Sequence, residues 1–262
     1  MNRFDDYFGR QQNIMNPQNF YDSYWNSGSH VCDEWDEKQF RQVLGPLIGA
    51  EKVLDYGCGL GFAYQKRLVG AVRNYIGADI ASAALENARS KNLEATRIAP
   101  ETGGLELPDN TFDGAVCVEV FEHLFDPLAS AREIFRVMKP GGVFVATVPN
   151  FGYHAWRLLA LLRAQVPSEP ENKKLNRYNG VHIRYFSKFM FQHLLNDAGF
   201  VDVQIGSFDQ SSIWDASLAA GHFGAIAQFA REKFPPSLRL SFLQEVWPNV
   251  FAIRLRAVAR KP

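Results

Sequence analysis

Apolar residues recur along this chain with two different periods. Short runs have the length and β-branched content of buried strands: KVLDYG from position 52, NYIGADI from 74, ATRIA from 95, FDGAVCVEV from 112 and GVFVATVPN from 142. Segments with helical spacing stand between them. After Asp126 as N-cap and Pro127 at the first helical position, Ala131, Ile134, Phe135 and Met138 share one face, and Lys139-Pro140-Gly141-Gly142 is a stop signal. Ser187 caps a second helix whose Met190, Phe191, Leu194, Leu195 and Ala198 form a stripe; Gly199 ends it and a strand follows over 200–205. Near the end, Phe251, Ile253, Leu255 and Ala257 alternate with Ala252, Arg254, Arg256 and Val258, which predicts a half-buried strand with two arginines on its open face. Strands alternating with helices imply an α/β fold: a mostly parallel sheet with crossover helices on both faces.

Residues 1–45 read as an N-terminal cap, rich in Asn, Gln, Tyr and Phe, with a helix starting near Asp33 and carrying Trp35, Phe40, Val43 and Leu44. Residues 46–262 form the main domain. Two connections inside it, 150–186 and 206–249, are far longer than the plain loops of about 2 to 6 residues that join strands and helices in such folds. They are expected to be lid segments over an acceptor site. The first contains Trp156-Arg157-Leu158-Leu159-Ala160-Leu161-Leu162-Arg163, apolar enough for a buried lid helix, a greasy acceptor channel or a peripheral membrane contact.

Composition narrows the function. In 262 residues, 28 Lys plus Arg balance 28 Asp plus Glu, so the basic excess that clamps a nucleic-acid backbone is missing. With 47% hydrophobic and 21% charged residues the chain has the content of a folded globular protein. The longest stretch without Asp, Glu, Lys or Arg, 140–156, contains Pro, Asn, His and three glycines and is too short for a transmembrane helix. The N-terminus is polar from the start, unlike a signal peptide, and Cys32, Cys58 and Cys117 are odd in number and widely spaced. A cytoplasmic setting is expected.

The sharpest chemical signal is Val53-Leu54-Asp55-Tyr56-Gly57-Cys58-Gly59-Leu60-Gly61, a strand running into a glycine-rich turn. Glycines there let a ligand approach the backbone closely. The spacing is G-x-G-x-G after an acidic residue, and Phe62 stands where a dinucleotide fingerprint requires its last glycine. This D-x-G-C-G-x-G resembles motif I of the class I S-adenosylmethionine-dependent methyltransferases, and the likeness extends over roughly 52–200.

The resemblance implies a Rossmann-like, seven-stranded, mostly parallel sheet of order 3-2-1-4-5-7-6, with S-adenosyl-L-methionine as cosubstrate. Asp55, Gly57, Cys58, Gly59 and Gly61 then belong to the cofactor turn. Asp79, with Ile80 beside it, matches the acidic residue that accepts hydrogen bonds from both ribose hydroxyls, a task that suits two carboxylate oxygens. Glu101, in Glu101-Thr-Gly-Gly-Leu-Glu-Leu-Pro-Asp-Asn-Thr-Phe-Asp, falls where the family usually has an Asp facing the adenine amino group. Glu119 and Val120 would line the cofactor, and Tyr21, Tyr24 and Trp25 resemble the aromatic N-terminal lid of many relatives, suited to a sulfonium cation.

The stretch Glu119-Val120-Phe121-Glu122-His123-Leu124 is similar to that of methyltransferases acting on small molecules, quinones and glycolipids, and the [DN]-P-P-[YF] of nucleic-acid base methylases is missing there. Glu119, Glu122 and His123 also resemble a divalent-cation site of some ubiquinone-pathway O-methyltransferases. The favoured reading is that Glu119 and Val120 line the cofactor while Glu122-His123 opens a helix, because no fourth ligand can be named; no metal ligand is assigned and a divalent metal is not the expected cofactor. His182, in His-Ile-Arg-Tyr-Phe-Ser where the family often reads H-x-R-x-F-S, either takes the proton of a hydroxyl nucleophile or, with Arg184, orders the lid or binds an acidic group. The expected activity is methyl transfer to an oxygen or nitrogen of a small-molecule, quinone or lipid-linked acceptor. The rival readings are a binding protein that keeps the cofactor pocket without catalysis and a nicotinamide-dependent oxidoreductase, the latter disfavoured by the glycine spacing.

Overall fold

The computed structural model describes residues 17–26, 35–61, 64–154, 157, 161, 182–207 and 248–262. Most of the two long connections, including all of the 156–163 stretch except Arg157 and Leu161, and Cys32, Asp33 and Phe62 lie outside the described residues.

Within them, helices and strands alternate: α1 (Pro17–Asn26), α2 (Glu37–Leu44), β1 (Lys52–Tyr56), α3 (Gln65–Ala71), β2 (Asn74–Asp79), α4 (Ser82–Ser90), β3 (Glu94–Arg97) and β4 (Phe112–Val118). There follow α5 (Pro127–Val137), β5 (Met138–Pro149), α6 (Lys188–Asp197), β6 (Val201–Ser207), the single turn α7 (Pro248–Phe251) and β7 (Arg254–Arg260). The sheet has seven strands in the order β3-β2-β1-β4-β5-β7-β6. β1 pairs parallel with β2 and β4, β2 with β3 and β4 with β5, whereas β7 runs antiparallel to both β5 and β6.

Capping chemistry fixes the helix starts. Asp126 accepts from Ala129 N at 2.9 Å with Pro127 at the first helical position, and Ser187 Oγ accepts from Met190 N at 3.3 Å. Asp36 and Gln39 form a reciprocal capping box for α2, with bonds of 2.7 and 3.0 Å, so that helix begins after Trp35 and does not carry it. α5 ends at Val137; Met138 opens β5 and is buried there.

Strand alternation sorts the core into two layers. Leu54, Tyr56, Ala115, Cys117, Phe144 and Ala146 face one way, against Ala131 and Ile134 of α5 and Phe191 and Leu195 of α6. Val53, Val116 and Val145 face the other way, against Phe40, Val43 and Leu44 of α2 and Leu68 of α3. The last strand keeps the buried alternation of its sequence but starts later. It starts at Arg254, after the helical turn that contains Phe251, and Leu255, Ala257 and Ala259 are its buried set. Arg256 is not on an open face: its Nε donates to Val43 O at 3.1 Å, tying β7 to the end of α2. No helix among the described residues is long and apolar enough to cross a membrane.

Candidate functional site

The strand order reverses between β1 and β4, because β1 continues outward to β2 and β3 while β4 continues to β5. Ligands of open α/β sheets bind at the carboxyl ends of the strands beside such a switch. Asp55, Asp79, Glu101, Glu119 and Val120 all lie at or just beyond those ends.

The turn after β1 is pinned to β2: Gly57 N and Cys58 N both donate to Ala78 O, at 2.7 and 3.0 Å, and Gly61 N closes onto Cys58 O at 3.1 Å. Gly57 and Gly59 have φ of +81° and +51°, values that side chains rarely adopt. A Cβ on Gly57 would lie 2.4 Å from Val120 Cγ2, and one on Gly59 would lie 3.0 Å from Trp25 Cζ2. The glycines therefore admit two walls, Val120 from below β4 and the Trp25 indole from α1.

Asp79, only 5% exposed, accepts from Gly59 N through Oδ2 at 2.8 Å and from Ala81 N through Oδ1 at 2.9 Å. Burial pushes its carboxyl up to about 6, against the pull of the Ala81, Gly59 and Ile80 amides. Each oxygen retains a second lone pair, which fits a diol donating two hydroxyls. Asp55 is placed differently. It is fully buried, its oxygens taken by Tyr64 Oη at 2.8 Å and Tyr75 Oη at 2.7 Å, and burial raises it to about 7. It supports the turn from beneath and does not open on the cleft. The sequence motif gave no sign of these two tyrosines.

Ile80 lies beside the cleft, its carbonyl accepting from Arg97 Nη1 at 3.2 Å. Glu101 is exposed on the turn after β3. The glycines behind it serve packing: Gly103 O accepts from Tyr56 Oη at 2.8 Å, and a Cβ on Gly103 would lie 2.4 Å from Ser130 Oγ. Cys58 and Cys117 are buried, and burial pushes both thiols up, away from a nucleophilic state.

Glu119 has a φ of +53°, a strained conformation for a non-glycine residue. Its N–H donates to Thr147 O at 3.1 Å, its Oε1 accepts from Thr147 Oγ1 at 2.8 Å, and its Oε2 faces Arg254 Nε at 3.3 Å. Thr147 and Arg254 are partners that no motif announced. Of the three residues in the E-x-x-E-H stretch, Glu122 and His123 come together and Glu119 does not. His182 stands in its place: Glu122 Oε1 is 3.7 Å from His123 Nε2 and 3.9 Å from His182 Nε2, and the two imidazole centroids are 4.8 Å apart. Among the described residues, these three side chains bring one ligand atom each within 4.8 Å of one another, close enough that they could hold a metal ion. Burial lowers the His182 imidazole to about 4, so it is neutral at physiological pH, with Glu122 beyond hydrogen-bond reach.

α1 spans both halves. Gln18 Nε2 donates to Ser82 Oγ at 3.2 Å and Asp22 accepts from Ala83 N at 3.2 Å, which anchors the helix on α4. Tyr21 meets the His123 ring edge to face at 6.2 Å, and Trp25, one turn later, covers Gly59.

A family model described as a methyltransferase domain matches residues 30–205. A relative from Mycobacterium tuberculosis, named a probable S-adenosylmethionine-dependent methyltransferase, is 31% identical over 75% of this chain and 68% of its own length. A ubiquinone biosynthesis O-methyltransferase from Pseudomonas aeruginosa is 35% identical over 44% of this chain and 57% of its own. Among solved structures, a possible histamine N-methyltransferase from Thermotoga maritima superposes with a TM-score of 0.54 at 16% identity, over 86% of this chain and 88% of that one. At that identity the likeness is one of fold.

Proposed function

The chain belongs to the class I S-adenosylmethionine-dependent methyltransferases, and we propose that it moves the methyl group to an oxygen or nitrogen of a small-molecule, quinone or lipid-linked acceptor. The cosubstrate supplies an activated methyl on a positive sulfonium. The residues of this chain bind, orient and exclude water. Asp79 receives the ribose hydroxyls, the turn 57–61 lies along the amino-acid moiety, Glu101 faces the adenine, and Val120 and Trp25 are the walls.

One observation carries the reading beyond donor binding. Tyr21 and Trp25 are four residues apart on α1, a rise of about 6 Å, and they touch His123 and Gly59 respectively. The glycine turn and the Glu122–His123–His182 cluster are thus touched by side chains about one helical turn apart on α1, so the donor turn and the cluster share one cover. His182, held neutral at physiological pH by burial, is the residue that would take the proton of a hydroxyl acceptor as the C–O bond forms; an amine can lose its proton to solvent. Residues 1–45 form the cap in this reading, and the free buried thiols of Cys58 and Cys117 favour a reducing, cytoplasmic setting.

The test is calorimetric titration with S-adenosylhomocysteine, with NAD as control and Asp79→Ala beside the wild type, followed by transfer of labelled methyl to an acceptor panel. Micromolar binding that is lost in the variant, with methyl incorporated into an acceptor, is expected. Binding without turnover on any acceptor would make the chain a cofactor-binding protein, and tighter binding of NAD would overturn the donor assignment.

A further inference from the structure

Most amides of the turn 57–61 are already engaged: Gly57 N and Cys58 N with Ala78 O, Gly59 N with Asp79 Oδ2, and Gly61 N with Cys58 O. Among the described residues, Leu60 N has no partner. Leu60 also stands between two glycines in the left-handed region, Gly59 at φ +51° and Gly61 at φ +75°, and glycines on either side leave the intervening peptides free to swing.

Its carbonyl is nevertheless held twice. Asn87 Nδ2 donates to Leu60 O at 2.7 Å and Lys91 Nζ donates to it at 3.0 Å. Both donors come from α4 and its C-cap, four residues apart and so on one face, while Ala84, Leu85 and Ala88 are the buried residues of the same helix. A carbonyl oxygen has two lone pairs and both are used, so turning the 60–61 peptide away breaks two hydrogen bonds at once. Asp79 holds the amide before Leu60 and Cys58 O receives the amide after it, which fixes the chain on both sides.

We infer that Asn87 and Lys91 are positioning residues of the donor site, which hold Leu60 so that its amide is ready to donate to the carboxylate at the amino-acid end of the cosubstrate. The carboxylate is the acceptor at that end, because the ammonium beside it has only donors. Lys91 also brings a positive charge to the turn. It is felt at Cys58, where it opposes the upward push of burial on the thiol. Among the described residues the Lys91 ammonium is held by the Leu60 carbonyl and by no carboxylate, so its charge favours an anionic ligand. A turn that is already ordered does not have to be ordered by the ligand, and the gain appears as affinity for the end that touches it, not for the nucleoside.

The inference rests on the transferase reading, so the test compares S-adenosylhomocysteine with its decarboxylated analogue, which keeps the adenine, ribose, thioether and ammonium. Calorimetric titration, with the weaker ligand measured by competition against the tighter, is run on the wild type, Asn87→Leu and Lys91→Met. The wild type is expected to prefer S-adenosylhomocysteine. That preference should shrink at least about fivefold in Asn87→Leu, the worth of about one hydrogen bond, and at least about twofold in Lys91→Met, whose charge is screened by solvent. Affinity for the analogue should stay within about twofold, which a general loosening of the fold would not produce. Thermal unfolding verifies that the variants fold, and the exposed Lys91→Met serves if Asn87→Leu does not. A wild type that binds both ligands equally, or folded variants that lose both alike or neither, overturns the inference and leaves the transferase reading standing. A wild type that binds neither ligand overturns the transferase reading, and this inference with it.

Discussion

Acidification should weaken donor-site binding through Asp79. In the free chain its carboxyl is pushed up to about 6, chiefly by burial, so it is ionised at pH 8 and loses its charge across a range where S-adenosylhomocysteine itself does not titrate. A ribose diol offers two donors, and a protonated carboxyl has one acceptor oxygen fewer and a donor of its own. If only the carboxylate binds, affinity falls about twofold at pH 6 and about tenfold at pH 5, or about 1.4 kcal/mol per pH unit below the transition. Calorimetry with S-adenosylhomocysteine from about pH 8 to about pH 5 reads this directly. Asp79→Asn, an isostere that cannot ionise, should bind more weakly and with a flat profile. Asp55 titrates nearby, at about 7, but both its oxygens are on tyrosine hydroxyls, so a slope that survives in Asp79→Asn would assign the effect to Asp55. Such a slope, or a flat wild-type profile, would refute the ribose contact. For stability the sign is opposite. A carboxyl raised from 3.8 to about 6 on folding contributes stability that is full below 3.8 and is lost as pH rises through about 6.

Three further outcomes are expected. Gly57→Ala adds about 1 to 2 kcal/mol of left-handed backbone strain to about 1 to 3 kcal/mol of overlap with Val120; Val120→Ala should return only the overlap, a coupling that urea denaturation of the double mutant measures. Tyr75→Phe leaves one oxygen of the buried Asp55 without its partner and should cost about 1 to 3 kcal/mol by the same assay; no loss would mean that water replaces the hydroxyl. Trp25→Phe should lower S-adenosylhomocysteine affinity while leaving the unfolding midpoint nearly unchanged, since the indole covers Gly59 from a helix that contributes no buried residue; an unchanged affinity would remove α1 from the donor site.

The local signals were complete where a single element carries its own instructions. Asp126-Pro127 and Ser187 start helices through bonds to amides three residues away, and the glycines of the turn 57–61 mark a backbone that a side chain would obstruct, so both were legible from the chain. Asp79 was legible for the same reason, standing at the end of an apolar strand. What the sequence could not reveal was partnership between distant positions. Asp55 sits in the cofactor motif, yet only the packing of Tyr64 and Tyr75 beside it turns it from a ligand-facing carboxylate into a buried support. Glu119, Glu122 and His123 stand together in sequence, but the positive φ at Glu119 sends its side chain to Thr147 and Arg254, while main-chain bonds from Ile183 and Arg184 bring His182 to Glu122. The last strand kept the buried positions its alternation marked, Leu255 and Ala257, but it starts only at Arg254 because Pro248–Phe251 forms a helical turn, and packing against α2 takes Arg256 off the open face to Val43. Periodicity and capping act within a few residues and so determine which elements form. Which side chains face one another is decided by how those elements pack, a contact energy that depends on the whole sheet.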